Sequence, residues 1–174
     1  MPRDLRVRSH ASRLIAVASL LSICHADDRL ANDAHADRVL VVKKERTLVL
    51  LDHGEILKKY KISLGADPTG PKNRQGDHKT PEGNYILDRR NEHSHFYRSL
   101  HISYPNADDR ARAAKSGVDP GGDIMLHGLP NGFGWLGSTD RLRDWTDGCI
   151  AVTNEEMDEI WRAVADGTPI EIDP

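Results

Sequence analysis

Two short stretches of the chain place reactive side chains beside flexible backbone. His127-Gly128 follows the apolar run Ile124-Met125-Leu126, and Thr146-Asp147-Gly148-Cys149 precedes Ile150-Ala151-Val152. A thiol with an ordinary pKa of ~8.5 is mostly protonated at neutral pH, and the thiolate is the reactive form. A neighbouring imidazole can take that proton. Attack on an amide then builds a tetrahedral oxyanion, which needs backbone N–H donors aimed at it. Gly148 beside the thiol permits such close approach. Taken singly, each residue has a plainer reading. His127 serves equally as a hydrogen-bonded structural residue, and Cys149 as a small core hydrophobe. Gly148 fits a simple turn, and Trp135 and Trp145 fit either a core or the rim of a cleft.

The elements that must position these residues read as mainly β. Val39–Val42, Thr47–Leu51 and Ile56–Leu64 are apolar, β-branched runs separated by Lys43–Arg46 and Asp52-His53-Gly54, the pattern of an antiparallel meander. From Gly65 to Gly83 the chain is punctuated by glycine and proline and carries few large apolar residues, which reads as a long functional loop. Strand character returns at Tyr85–Leu87, Leu100–Ser103 and Asp123–His127. Asp108–Ser116 suits a short exposed helix, and Asn131–Asp144 another glycine-rich loop. Thr153 followed by Glu156 is a capping-box signal. Met157, Ile160, Trp161 and Val164 then recur at helical spacing, which predicts a helix over about 154–166 with one buried face. Pro169–Ile172 reads as a final edge strand.

Composition narrows the class. The 174 residues suffice for one domain. Apolar content of 38% and charged content of 29% are those of a globular protein, and a net charge of -3 without a dense basic patch argues against nucleic-acid partners. The N-terminus reads as a secretory signal over 1–26: four arginines, an apolar run Leu14–Ile23 too short to span a bilayer, then cleavage after Ala26. Residues 27–37 read as a disordered lead-in and 38–174 as the domain. Removal of 1–26, with four Arg and one Asp, takes the net charge from -3 to -6 and removes Cys24. Cys149 is then the lone cysteine of an exported protein, so it is an inert buried thiol or a reactive one. No histidine spacing forms a convincing metal-ligand set.

The segment IMLHGLPNGFGWLGSTDRLRDWTDGCIAVTNEEMDEIW resembles the catalytic core of the L,D-transpeptidases of the YkuD type: His-Gly, a spacer, then Ser/Thr, one residue, Gly and Cys. The stretch LGADPTGPKNRQGDHKTPEGNYIL resembles the same family's substrate-side loop and its Thr-Pro-Glu-Gly turn, here Thr80–Gly83. The likeness runs from about Val39 to Ile172. It implies a β-sandwich-like fold with one or two short helices and a cleft, and no metal or organic cofactor. Cys149 would be the nucleophile and His127 the base. The Gly128 carbonyl would orient the imidazole, and the N–H groups of Gly148 and Cys149 would face the oxyanion. The substrate would be the tetrapeptide stem of peptidoglycan, with a thioester intermediate resolved by an amine or by water. Many family members carry a second histidine where this chain has Asp147, so Asp147 is expected to point away from the thiol or to bond a loop. The Trp145–Cys149 pattern, Trp-Thr-x-Gly-Cys, resembles a variant branch, some of whose members trim stems or act on lipoprotein attachment; a wall-attached lipoprotein is therefore a candidate partner. Arg141 and Arg143 would pair with a stem carboxylate, with Trp145 and Thr146 beside them; solvated loop charges are the other reading of the arginines. Three functions stay open: an L,D-transpeptidase, an L,D-carboxypeptidase or amidase on the same scaffold, and a non-enzymatic wall-binding domain.

Overall fold

The computed structural model describes residues 29–174, without the side chains of residues 140–142. The expected secretory segment at 1–26, with Cys24, and the first two residues of the lead-in lie outside the described residues.

Eight strands form one curled sheet. β1 (Arg38–Val42), β2 (Thr47–Asp52) and β3 (Glu55–Lys61) are the expected antiparallel meander, with Val39 facing Leu50 and Val49 facing Lys59. β4 (Gly83–Ser94) and β5 (Tyr97–Ile102) form a hairpin. β6 (Met125–His127) pairs with β5, and β7 (Ile150–Ala151) lies parallel to β6. β8 (Thr168–Asp173) completes the order β3-β2-β1-β8-β4-β5-β6-β7. Beyond Lys61 the chain stays extended, and Ser63 exchanges two 2.9 Å backbone hydrogen bonds with Ala151. The two ends of the sheet therefore meet. β7, only two residues long, is held by β6 on one side and by Ser63 on the other.

Period-2 burial fills the interior. Val39 and Val41, Leu48 and Leu50, Tyr85 and Leu87, and Ile170 and Ile172 all point inward. Each such burial contributes roughly 1.5–3 kcal/mol. α2 (Asn154–Ala163) closes the core with Met157, Ile160, Ala163 and the following Val164. Its first turn carries the expected capping box, Thr153 Oγ1 accepting from Glu156 N and Glu156 Oε2 accepting from Thr153 N. α1 (Ala107–Ser116) is short and mostly exposed, and is capped by Asn106. Among the described residues no helix is long and apolar enough to cross a membrane.

Several expectations are corrected. β8 is central rather than an edge strand. Proline normally forbids that position because it lacks a ladder donor, but the β1 ladder begins only at Val39↔Ile170, so Pro169 sits where no β1 bond is required. β4 runs to Ser94, well past Leu87, through charged residues that are exposed or half-buried. The part of the lead-in that is described, 29–37, is packed: Leu30 and Ala36 are buried, Ala36 N donates to Ala163 O at 2.8 Å, and Leu30 N donates to buried Glu159. Two apolar side chains in a polar, alanine-rich stretch suffice to seat it against α2. α2 stops at Ala163, three residues early. Trp161 is partly buried beneath the guanidinium groups of Arg90 and Arg98.

Candidate active site

β6 and β7 bring the two candidate residues together. Their register pairs Leu126 with Ile150 and His127 with Ala151. Leu126 and Ile150 face the core and are fully buried. Alternation then puts His127, Met125 and Cys149 on the opposite face. That face forms the floor of a cleft of about 510 Å³, lined by Ser94, Phe96, Ser99, Asp123, Trp145 and Asp147 among others, together with His127 and Cys149.

His127 is 3% exposed. Its Nδ1 lies 2.6 Å from the carbonyl oxygen of Gly128. A carbonyl only accepts, so Nδ1 carries the proton and Nε2 keeps its lone pair. The expected orienting contact of Gly128 is thus present as geometry. The segment that makes it is pinned from α2: Asn154 Oδ1 accepts from Leu129 N at 2.9 Å. A Cβ at Gly128 would stand 2.8 Å from that oxygen. Phe96 and Trp145 pack on the imidazole with ring centroids 4.6 and 5.9 Å away. This burial pushes the His127 pKa down to about 4, against the opposing pull of the Gly128 carbonyl. The imidazole is neutral at physiological pH.

Cys149 is partly buried and has no disulfide partner. Its Sγ accepts from Met125 N at 3.4 Å and lies 3.8 Å from the carbonyl oxygen of Asp123. Burial raises the thiol pKa; the Met125 N–H and the Lys72 charge oppose that, and the charges of Asp147 and Asp123 add to it. The pair at rest is therefore a neutral thiol and a neutral imidazole.

The turn before Cys149 is built by Thr146. Its Oγ1 accepts from Gly148 N at 3.1 Å and donates to Cys149 O at 2.7 Å. Gly148 has φ of +121°, and a Cβ there would lie 2.5 Å from Lys79 O. Only glycine fits between the turn and the long loop. That loop is braced by Asp77, which accepts from Lys72 Nζ and from the backbone N–H groups of Asn73, Arg74 and Lys79. Burial would raise the Asp77 pKa, but these bonds win and hold it down at about 2.

Other expected residues fare differently. Thr146 lines the cleft, but its hydroxyl is committed to the turn on both sides, so it shapes the site rather than offering a free contact. The Gly148 N–H, expected to face an oxyanion, is likewise directed at Thr146. Trp145 lines the cleft, and its buried Nε1 has no hydrogen-bond partner in the structure. Arg143, just beyond the 3-10 turns over Gly134–Leu142, is exposed and does not line the cleft. The side chain of Arg141 lies outside the described residues. Asp147 bonds a loop, as one of its two expected placements had it: Oδ1 lies 2.5 Å from His78 Nδ1. Sequence reasoning missed Phe96, Asp123, Met125 and Asn154. The hydrophobic pattern around Met125 is the one local signal that could have included it, since it shares a face with His127.

Residues 36–172 match the L,D-transpeptidase catalytic domain family model, YkuD. Over 132 residues the chain is 35% identical to the Escherichia coli (strain K12) protein provisionally named L,D-transpeptidase YafK, covering 72% of this chain and 46% of that relative. The chain thus spans about half the length of the curated relatives it matches. Among solved structures, the helical cell shape determining protein Pgp2 from Campylobacter jejuni is similar with a TM-score of 0.60 at 28% identity, over 80% of this chain and 48% of that one. An L,D-transpeptidase from Xylanimonas cellulosilytica DSM 15894 shares the fold with a TM-score of 0.53 at 16% identity, over 82% of this chain and 63% of that one. By the family match across most of its length, and by its likeness to YafK, this chain belongs to the L,D-transpeptidase catalytic domain family.

Proposed function

We propose that the protein is an exported cysteine acyltransferase that acts on peptidoglycan stem peptides as an L,D-transpeptidase. The observation that carries this reading is the placement of Cys149 and His127 on one face of adjacent strands, with His127 Nδ1 bonded to Gly128 O. Nε2 is then the basic nitrogen. The Cys149 Sγ–H proton passes to Nε2 as sulfur attacks the carbonyl at the L-centre of the diamino acid. The tetrahedral intermediate collapses by breaking the C–N bond to the terminal D-alanine. His127 returns the proton to the leaving amine, and a thioester is left on Cys149. An incoming amine gives its proton to Nε2, attacks the thioester and regenerates the thiol. With water as acceptor the same steps give a carboxypeptidase. Because the Gly148 N–H is engaged by Thr146, the Cys149 N–H is the donor assigned to the oxyanion. Acceptors in this reading are the amine of a second stem or of a wall-attached lipoprotein.

The test is intact-mass spectrometry of the protein mixed with tetrapeptide muropeptides, beside Cys149→Ala, followed by product analysis. An adduct on the wild type alone, with dimeric products, is the expected result. An adduct with only shortened monomers replaces transpeptidation by hydrolysis. A folded protein with a free thiol, no adduct and no product would overturn the reading.

A further inference from the structure

The lining of the cleft around Cys149 is one-sided in charge, and the buried Lys72 ammonium outside that lining only partly offsets its effect on the thiol. The lining includes two carboxylates, Asp123 and Asp147, and no lysine or arginine among the described residues. Both carboxylates belong to residues next to the thiol. Asp147 lies two positions before Cys149, and the Asp123 carbonyl is 3.8 Å from Sγ. The Asp147 side chain is 86% exposed and uses Oδ1 on His78. A second feature points the same way. Phe96 and Trp145 line the same space with centroids 6.2 Å apart in a stacked arrangement. Aromatic faces attract cations, and carboxylates repel anions while drawing cations in. A reaction that needs a thiolate is poorly served by two carboxylates beside it. A cation bound between them removes that conflict.

We propose that Asp147 and Asp123 select substrates carrying a primary ammonium close to the bond that is broken or made. The inference rests on the acyl-transfer reading above, and it names the feature of the substrate that the cleft recognises. Two sources share this chemistry: the side-chain ammonium of the donor's diamino acid, and the acceptor amine in its protonated resting form. In either case the docked ammonium offsets the field of the carboxylates at Sγ, and the thiol proton then moves to His127 Nε2. The free cleft holds the thiol back, and the correct substrate releases it.

Charged thiol reagents test the element without assuming any natural substrate. Rates of Cys149 modification are measured with cationic 2-aminoethyl methanethiosulfonate and neutral methyl methanethiosulfonate. Peptide mapping separates Cys149 from Cys24, and the same rate ratio on glutathione is the reference. Relative to that reference, the wild type should favour the cationic reagent by about tenfold. Asp147→Asn should reduce the preference, and Asp123→Asn/Asp147→Asn should abolish it. His78→Gln, which removes a competing partner of Asp147, should preserve or increase it. A wild-type preference near that of glutathione would overturn the proposal. So would variants that slow both reagents alike, since that is the mark of a positioning role.

Muropeptide donors with the side-chain ammonium free or acetylated then identify the source. A drop of about tenfold in wild-type acylation on acetylation, absent in Asp147→Asn, assigns the donor. Unchanged acylation with slower aminolysis of the thioester in Asp147→Asn assigns the acceptor. Insensitivity of both steps overturns the proposal. If neither donor acylates Cys149 while the reagent preference stands, the acyl-transfer reading fails and the cation-selective element survives.

Discussion

Lowering the pH from 7 to 4.5 isolates His127 as a stability element. Its folded pKa is held down from 6.5 to about 4 by burial against Phe96 and Trp145. Between those two values the unfolded chain binds a proton that the folded chain refuses. The unfolded state therefore gains as pH falls through 6.5, and the gain saturates below about 4. In the limit this is worth about 3 kcal/mol, at about 1.4 kcal/mol per pKa unit. Over the window from pH 7 to 4.5 it amounts to about 2 kcal/mol. His127→Gln removes the titration while leaving every carboxylate in place. Urea unfolding of both proteins at pH 7, 5.5 and 4.5 gives the difference directly. The wild type should lose about 2 kcal/mol more than the variant across that range. Curves that stay parallel would show that His127 is not buried as a neutral imidazole, and the argument for a free Nε2 base at neutral pH would fall with it.

Other perturbations probe the frame around the thiol. Gly148→Ala forces a Cβ to 2.5 Å from Lys79 O at a φ of +121°, and it should cost at least about 3 kcal/mol in denaturant unfolding. Thr146→Val leaves the buried Gly148 N–H without its acceptor and Cys149 O without its hydroxyl donor; a loss of about 1–3 kcal/mol is expected, with Thr146→Ser restoring most of it. Asp77→Asn leaves the Lys72 ammonium, itself 3% exposed, with the Arg74 carbonyl but no countercharge, and should destabilise by about 3 kcal/mol at pH 7. Because the Asp77 pKa is depressed from 3.8 to about 2, that contribution is full above the unfolded value and is lost as pH falls through the folded one, so wild type and variant should converge near pH 2.

How much of this was readable from the chain depends on the range over which each feature is encoded. The β1–β3 meander was legible because Val39–Val42 and Thr47–Leu51 are short apolar, β-branched runs set between turn signals. α2 was legible because Thr153 and Glu156 announce its start and Met157 and Ile160 mark its buried face. β8 misled because a proline in a short C-terminal run argues for an edge; its central place follows from the β1 ladder starting one residue later, a relation between segments 130 residues apart in sequence. Trp161 packs against the core as its spacing implied, but it is only partly buried, and the two arginines from β4 and β5 that cover it are encoded in no local pattern. In the site, His127 and Cys149 stood out because each borders an apolar strand. Phe96, Asp123 and Asn154 did not, since their roles arise only when β5, β6 and α2 converge. Arg143 carried the right chemistry for a carboxylate but lies outside the cleft, and the expected use of Thr146 overlooked how completely its hydroxyl is spent on the turn.

The electrostatic state of the cleft also bears on how such a site stays controlled. Burial acts on Cys149 and His127 in opposite chemical directions but toward the same end, disfavouring the thiolate and the imidazolium alike. An ion pair at rest would need both charges inside a poorly solvated cleft, and the two nearby carboxylates oppose the thiolate further. In the proposed mechanism the proton transfer is therefore uphill in the empty site and becomes favourable only with compensating groups in place. Part of that compensation is fixed, in the Met125 N–H on Sγ, the Lys72 charge and the Gly128 carbonyl behind the imidazole. The rest must arrive with the ligand. On this reasoning the thiol reacts slowly with small neutral reagents at neutral pH, and it accelerates steeply as pH rises above the usual thiol range. A flat profile down to about pH 5 in a neutral-reagent alkylation series would instead reveal a preformed thiolate–imidazolium pair, and activation by the substrate would then have nothing left to explain.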